Sequence, residues 1–124
     1  MNKIIVADDS LIVRNLIGNS LKDDYEVLFA SNGREVIKYI TESNKDIMGI
    51  LLDLNMPLYD GFHVLNYFKN NNLFNRYPVA IISGDDTKET IDKAFSYDIV
   101  DMLNKPFTKD NIKSIVNKMI NYKN

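Results

Sequence analysis

Three short runs of consecutive apolar residues constrain the fold of this chain more than any other feature. They are KIIVA at 3–7, MGILLD at 48–53 and PVAIIS at 78–83. A strand with one face in water alternates apolar and polar residues, whereas a strand with both faces covered is apolar along its length. The three runs are therefore predicted to be inner strands of a sheet that carries helices on both sides.

Two further runs, YEVLFA at 25–30 and DMLNK at 101–105, are weaker strand candidates. Between and after the runs, apolar residues recur at spacings of three and four, as on one face of a helix. The last such segment is the clearest, with Thr108 as a candidate N-cap and Asp110 placed to complement the helix dipole. Its apolar stripe comprises Ile112, Ile115, Val116, Met119 and Ile120.

The alternation of strand and helix patterns predicts an α/β fold, because helical crossovers of one hand join parallel strands. We expect a doubly wound five-stranded parallel sheet in the order 2-1-3-4-5 with five helices, which places the first, third and fourth strands inside. The 124 residues are expected to form a single domain over 1–124. Phe62, Phe68 and Phe95 are expected to pack in or beside its core.

Charge and composition argue against several classes of binding partner and several kinds of chemistry. The formal net charge is -2 and the pI is about 5.3, so the chain lacks the basic surface that neutralises nucleic-acid phosphates. It contains no cysteine, which removes disulfides and thiolate nucleophiles. The first apolar run is too short for a signal peptide or a membrane span. These features predict a cytoplasmic protein that binds neither nucleic acid directly nor membranes.

Polar side chains stand where the predicted strands end. Asp8 and Asp9 follow the first strand, Asp53 ends the third, Ser83 ends the fourth and Lys105 ends the fifth. In an open α/β sheet the ligand crevice lies outside the carboxyl ends of the strands, so these groups should converge on one edge. Three neighbouring carboxylates repel one another unless a cation neutralises them, and Mg²⁺ suits such oxygen ligands. The sequence therefore predicts a magnesium site.

This arrangement can perform phosphoryl chemistry. Asp53 can act as a nucleophile towards phosphorus and form an acyl phosphate, while Mg²⁺ and Lys105 neutralise the charge on the phosphoryl oxygens. Ser83 can hydrogen-bond the product phosphate. Gly84 is expected to keep that approach open because it has no side chain.

Four motifs, in this order and spacing, resemble one known family. VADDS at 6–10, LLDLNMPLYDG at 51–61, ISG at 82–84 and KPF at 105–107 are similar to the receiver domains of two-component response regulators of the chemotaxis-regulator type. The resemblance covers essentially the whole chain. It implies the flavodoxin-like receiver fold and a cis peptide bond between Lys105 and Pro106.

The resemblance implies that Asp53 accepts a phosphoryl group from a sensor histidine kinase or a phosphotransfer protein. It also implies a Mg²⁺ (or Mn²⁺) ion bound by Asp9, Asp53 and the backbone carbonyl of Asn55, with Asp8 reaching the ion through water. Lys105 is then expected to pair with the phosphate. On this interpretation the protein is a signalling switch and not a turnover enzyme, although it catalyses its own phosphorylation and dephosphorylation.

The resemblance further assigns switch and tuning residues. Ser83, with Gly84 beside it, is similar to the family's hydroxyl switch residue, and Asn55 and Asp85 take positions that tune hydrolysis of the acyl phosphate. Asp85 is expected to place a charge near the incoming water. Met102 departs from the family, which commonly has Tyr or Phe there. Methionine is flexible and apolar, so it can fill the space that Ser83 vacates but cannot supply a hydroxyl.

The output and two rival functions stay open at the level of sequence. The phosphorylated protein is expected to control a downstream protein or a missing output domain, and a phosphorylation-dependent homodimer is a further option.

The first rival function is that of a magnesium-dependent phosphohydrolase of the haloacid dehalogenase type. That class needs an Asp two residues after the nucleophile, where this chain has Asn55. The second rival is a pseudo-receiver that serves only as an interaction module.

Overall fold

The computed structural model describes residues 2–42 and 45–122, in which strands and helices alternate. The strands are β1 (Lys3–Ala7), β2 (Glu26–Ala30), β3 (Ile47–Asp53), β4 (Val79–Ser83) and β5 (Asp101–Asn104). The helices are α1 (Leu11–Leu21), α2 (Gly33–Glu42), α3 (Gly61–Asn70), α4 (Lys88–Phe95) and α5 (Lys109–Ile120). The predicted strand and helix repeat is therefore confirmed, with each strand boundary within one residue of its expected place.

The strands form one parallel sheet in the order β2-β1-β3-β4-β5, as predicted. Every residue of β4 is buried, and so is every residue of β3 except Met48. The edge strand β5, by contrast, has no buried residue. The continuous apolar runs thus belong to the inner strands, because helices cover both of their faces.

Two separate apolar layers pack against the sheet. Ile5, Leu52 and Ile81 face a layer that also contains buried residues of α2, α3 and α4. Ile4 and Leu51, their neighbours along the strands, face a second layer formed by α1 and α5. Successive strand residues point to opposite faces, so a strand that serves both layers must be apolar throughout.

Side-chain caps fix where four of the helices begin. Ser10, Asp60, Thr87 and Thr108 each accept a hydrogen bond from the backbone N–H three residues later. Thr108 and Asn111 cap each other reciprocally, which confirms the N-cap predicted for α5. Each such cap typically stabilises a helix by about 1 kcal/mol.

The expectation for one phenylalanine was wrong. Phe68 is buried and Phe62 is half-buried, but Phe95 is 49% exposed. Within α4, all of whose residues are described, Ala94 is the one buried residue. Because Ala94 is the one side chain that α4 buries in the core, the side chain of the next residue, Phe95, faces solvent.

No helix within residues 2–42 and 45–122 is long and apolar enough to cross a bilayer.

Candidate functional site

The polar groups picked out from the sequence lie together at the carboxyl edge of the sheet. Asp53 and Ser83 are the last residues of β3 and β4, Asp8 directly follows β1, and Lys105 directly follows β5. Backbone hydrogen bonds between neighbouring strands hold this edge: the Lys105 N–H donates to the Ser83 carbonyl at 2.8 Å, and the Asp8 N–H donates to the Ala30 carbonyl at 3.0 Å. The parallel sheet thus sets the spacing of the site.

Three carboxylates form its centre. Asp8, Asp9 and Asp53 each offer an oxygen, and these oxygens lie within 4.8 Å of one another. Asp8 is fully buried and Asp53 is 3% exposed, whereas Asp9 faces solvent. Backbone donors orient the two buried groups, because the Ser10 N–H donates to Asp8 Oδ1 at 2.8 Å and the Asn55 N–H donates to Asp53 Oδ1 at 3.3 Å. The predicted acidic cluster is therefore assembled.

Lys105 is shared between two of these carboxylates. Its Nζ lies 2.7 Å from Asp8 Oδ2 and 3.3 Å from Asp53 Oδ2. The sequence predicted a phosphate partner for this lysine but did not anticipate its shorter contact to Asp8. In the unphosphorylated protein Lys105 neutralises part of the acidic cluster, and Asp8 fixes its position beside Asp53.

The electrostatics of the pocket set Asp53 apart. Burial, followed by the charge of Asp8, raises the pKa of Asp53 to about 6, against the opposing effects of Lys105 and of the Asn55 N–H. For Lys105, burial favours the neutral form, but the hydrogen bond to Asp8 and the charges of Asp53 and Asp8 outweigh it and raise its pKa. One ammonium faces three carboxylates, so the pocket keeps an excess of negative charge.

This donor set fits a small, hard divalent cation. Mg²⁺ is typically held by one or two carboxylates together with water and phosphate oxygens, and it demands oxygen donors. Asp9 is open to solvent beside the buried Asp53, so an ion bound by both could keep several waters. The pocket contains the carboxylates that such an ion needs, and its unbalanced charge favours binding.

Ser83 and Asp85 lie in the turn between β4 and α4. The buried Ser83 hydroxyl accepts a hydrogen bond from the Asp85 N–H at 3.0 Å. The Asp85 carboxylate accepts from the Thr87 N–H at 3.0 Å and from the Thr90 hydroxyl at 2.7 Å. These bonds, the one from Thr87 first, lower the pKa of Asp85. Asp85 is thus tied into the first turn of α4, a contact that the expectation of a charge near the incoming water did not include.

Two further residues named from the sequence are Gly84, which directly follows β4, and Met102, which lies in β5. A Cβ added at Gly84 would meet no atom within 4 Å, so the surrounding protein does not demand glycine there. The role expected for Gly84, to keep the approach of a phosphoryl group open, stays a prediction. Met102 is half-buried in β5 and packs against the layer that contains α2, α3 and α4. The predicted cis bond between Lys105 and Pro106 is present.

The sequence analysis did not identify two residues that contact the candidate site. Gly61 packs against the end of β3, and its N–H donates to the Leu54 carbonyl at 3.0 Å. Thr90 binds the Asp85 carboxylate from the first turn of α4. Gly61 is the last residue of the motif LLDLNMPLYDG at 51–61. Thr90 lies three residues after Thr87 and five after Asp85, a spacing that places short polar side chains at the start of one helix.

The fold and the site together define a class of protein. The sheet is doubly wound, and its carboxyl edge holds an acidic pocket with a carboxylate at the end of β3, a lysine after β5 and a hydroxyl at the end of β4. An aspartate in such a pocket is typical of α/β proteins that accept a phosphoryl group.

Comparison with known proteins identifies the family. Residues 4–117 match the response regulator receiver domain, and the chain belongs to that family. An NtrX-like response regulator from Rickettsia typhi is 34% identical over 112 residues, which are 88% of this chain and 23% of that protein. The rice protein named two-component response regulator-like PRR37 is 29% identical over 114 residues, which are 91% of this chain.

Solved structures agree with this assignment. The receiver domain of the Francisella response regulator 1452 superposes with a TM-score of 0.87 at 26% identity, and the match covers 100% of both chains. The curated relatives are much longer, since this chain spans 15% of the rice protein and 23% of the Rickettsia protein. Receiver domains of response regulators are phosphoacceptors in two-component signalling, so membership gives this chain that general role.

Proposed function

We propose that Asp53 accepts a phosphoryl group, with Mg²⁺, from a sensor histidine kinase or a phosphotransfer protein in the cytoplasm. One observation carries this proposal: the Asp53 carboxylate is buried at the end of β3, lies 3.3 Å from Lys105 Nζ and is grouped with Asp8 and Asp9. No other carboxylate in the described residues combines that placement with a shared lysine and two acidic neighbours.

The transfer step follows from this arrangement. An Asp53 oxygen attacks the phosphorus of a phosphohistidine, the P–N bond breaks, and the departing imidazole takes a proton from solvent. Bound Mg²⁺, or Mn²⁺, supplies positive charge that offsets repulsion between the carboxylate and the phosphoryl oxygens. Asp9, Asp53 and the Asn55 carbonyl would hold the ion, with Asp8 reaching it through water.

Lys105 and Ser83 then respond to the new group. Phosphorylation replaces one carboxylate charge with about -1.5 to -2 and adds three strong acceptor oxygens. Lys105 is already held beside Asp53 by Asp8, so it can pair with a phosphoryl oxygen after a short movement. A movement of the Ser83 hydroxyl oxygen towards the phosphoryl group would break the hydrogen bond that this oxygen accepts from the Asp85 N–H. The hydroxyl's departure changes the β4 to α4 turn and thereby couples the chemistry to a surface.

The proposal makes this protein a signalling switch that controls a downstream protein or an output domain. Turnover of phosphate esters is disfavoured because the Asn55 side chain cannot act as the general acid that the rival phosphohydrolase needs. The pseudo-receiver alternative is disfavoured because Asp8, Asp9, Asp53 and Lys105 are assembled together. Direct binding to nucleic acid or to membranes is not part of the proposal, and a phosphorylation-dependent homodimer is a further option within it.

Amide NMR spectra with and without Mg²⁺ and beryllofluoride, a phosphoryl mimic, test the switch. We expect shifts for Ser83, Lys105 and the segment from Ser83 to Phe95 when both reagents are present. The Asp53→Asn variant should show none of the beryllofluoride-dependent shifts. Identical spectra for the wild-type protein with and without the mimic would contradict the proposed switch.

A further inference from the structure

A chain of three hydrogen bonds joins Ser83 to the first turn of α4. The Asp85 N–H donates to Ser83 Oγ at 3.0 Å, and the Thr90 hydroxyl donates to Asp85 Oδ2 at 2.7 Å. Asp85 Oδ1 accepts from the Thr87 N–H at 3.0 Å. We call Ser83, Asp85 and Thr90 the β4–α4 clasp. It connects the hydroxyl expected to meet the phosphate to a helix that carries no proposed catalytic group.

The hydrogen bonds of the clasp engage the Ser83 hydroxyl, the group that would have to move in the proposed switch. In the described residues the Ser83 hydroxyl makes no hydrogen bond to Asp8, Asp53 or Lys105, and its bonds are with Asp85 of its own turn. Both Asp85 oxygens are also engaged. Rotation of Ser83 towards a phosphoryl group therefore removes the acceptor of the Asp85 N–H.

The helix at the other end of the clasp is lightly held. Ala94 is the buried residue of α4, and the remaining residues of that helix are exposed or half-buried. Lys93 Nζ of α4 lies 4.0 Å from the centroid of the Phe62 ring in α3, and Tyr97, which follows α4, donates from its Oη to Asn66 Oδ1 of α3 at 2.6 Å. With so little core packing, the hydrogen bonds of its first turn, among them the charge-assisted bond from Thr90 to Asp85, are a substantial part of what positions the start of α4.

We propose that Thr90 is a positioning residue that, through Asp85, holds the Ser83 hydroxyl in the turn and so limits how readily the domain adopts its phosphorylated form. This inference rests on the proposed function. A contact present in one of two conformations shifts their equilibrium by its own free energy, so the bond from Thr90 favours the unphosphorylated form. Loss of the bond should favour the phosphorylated form by the factor that one hydrogen bond is worth, about three- to tenfold.

The test compares Thr90→Val with Thr90→Ser. Valine keeps the branched shape of threonine and removes the donor, whereas serine keeps the donor. Thr41→Val is a matched control, because the Thr41 hydroxyl donates to the Ile37 carbonyl at 3.0 Å within α2, away from the clasp. Binding of beryllofluoride in saturating Mg²⁺ is measured for each protein by titration of the amide spectrum. Hydrogen exchange of the Asp85 amide is measured in the protein without either reagent.

We expect Thr90→Val to bind beryllofluoride about three- to tenfold more tightly than the wild-type protein and to exchange its Asp85 amide several-fold faster. Thr90→Ser and Thr41→Val should stay within about twofold of the wild type in both measurements. A merely structural role for Thr90 would weaken the fold without tightening binding, and serine would then offer no specific rescue.

Two outcomes overturn the inference in distinguishable ways. Unchanged or weaker beryllofluoride binding by Thr90→Val, with normal binding by the wild-type protein, would show that the clasp does not oppose the switch. Failure of the wild-type protein itself to bind beryllofluoride would overturn the proposed function and this inference with it.

Discussion

Replacement of Asp53 by asparagine is expected to make the metal-free protein more stable at pH 7, by about 1–2 kcal/mol in the free energy of unfolding. Burial and the charge of Asp8 raise the pKa of Asp53 to about 6. The folded protein therefore holds an ionised group in a place that disfavours ionisation. Asparagine has nearly the same shape and no charge, and Lys105 keeps its contact with Asp8 at 2.7 Å.

The pH dependence of this effect has a definite sign. A pKa that is higher in the folded than in the unfolded state stabilises the fold below the unfolded value, and this contribution is lost as the pH rises through the folded value. For Asp53 the window extends from 3.8 to about 6. The advantage of Asp53→Asn should accordingly be largest above pH 6 and should shrink as the pH falls towards 4.

Urea unfolding in a chelating buffer, at several pH values across this window, measures the effect. Asp86→Asn is the control, since it removes the same charge from an exposed side chain and should change the free energy of unfolding by less than about 0.5 kcal/mol. Added Mg²⁺ should stabilise the wild-type protein more than the variant, because a ligand stabilises the state that binds it. A variant less stable than the wild type at pH 7 without metal would contradict this account of the pocket.

Gly61→Ala is expected to destabilise the protein by about 3 kcal/mol. A Cβ at Gly61 would lie 2.5 Å from the Asp53 carbonyl oxygen and 2.7 Å from the Leu54 Cα. Both are backbone atoms of the segment that positions the candidate phosphoacceptor, so relief requires α3 to move away from the end of β3. The gain of about 0.4–1 kcal/mol from replacing glycine in the unfolded chain is smaller than this cost.

Gly84→Ala is the matched control, because a Cβ there would meet no atom within 4 Å. We expect that variant to stay within about 0.5 kcal/mol of the wild type in chemical denaturation. Equal stabilities for the two alanine variants would show that close packing of α3 on β3 does not constrain the site.

Much of the fold could be predicted from local pattern. The unbroken apolar runs of β1, β3 and β4 require cover on both faces, and that requirement places these three strands inside the sheet, as in the observed order. The stripe in α5 was equally informative, since Ile112, Ile115, Val116 and Met119 are all buried. Exposure of Phe95 could not be predicted, because it depends on how little of α4 reaches the core and not on the spacing within that helix.

The sequence predicted which residues belong to the candidate site but not how they contact one another. Asp8, Asp9, Asp53, Ser83 and Lys105 could be grouped because parallel strands end at one edge. Lys105 lies closer to Asp8 than to Asp53, and that preference depends on side-chain positions that the sequence pattern does not specify. The bond from Thr90 to Asp85 likewise depends on the path of the turn before α4.

Intact mass of the protein after incubation with a small-molecule phosphodonor, with and without Mg²⁺, tests the central claim most directly. The account predicts a single phosphoryl adduct that requires Mg²⁺ and is absent from Asp53→Asn under the same conditions. The variant is folded on this account, so loss of the adduct would report on the nucleophile and not on the fold. A folded wild-type protein that forms no adduct, or an adduct that persists in Asp53→Asn, would contradict Asp53 as the phosphoacceptor.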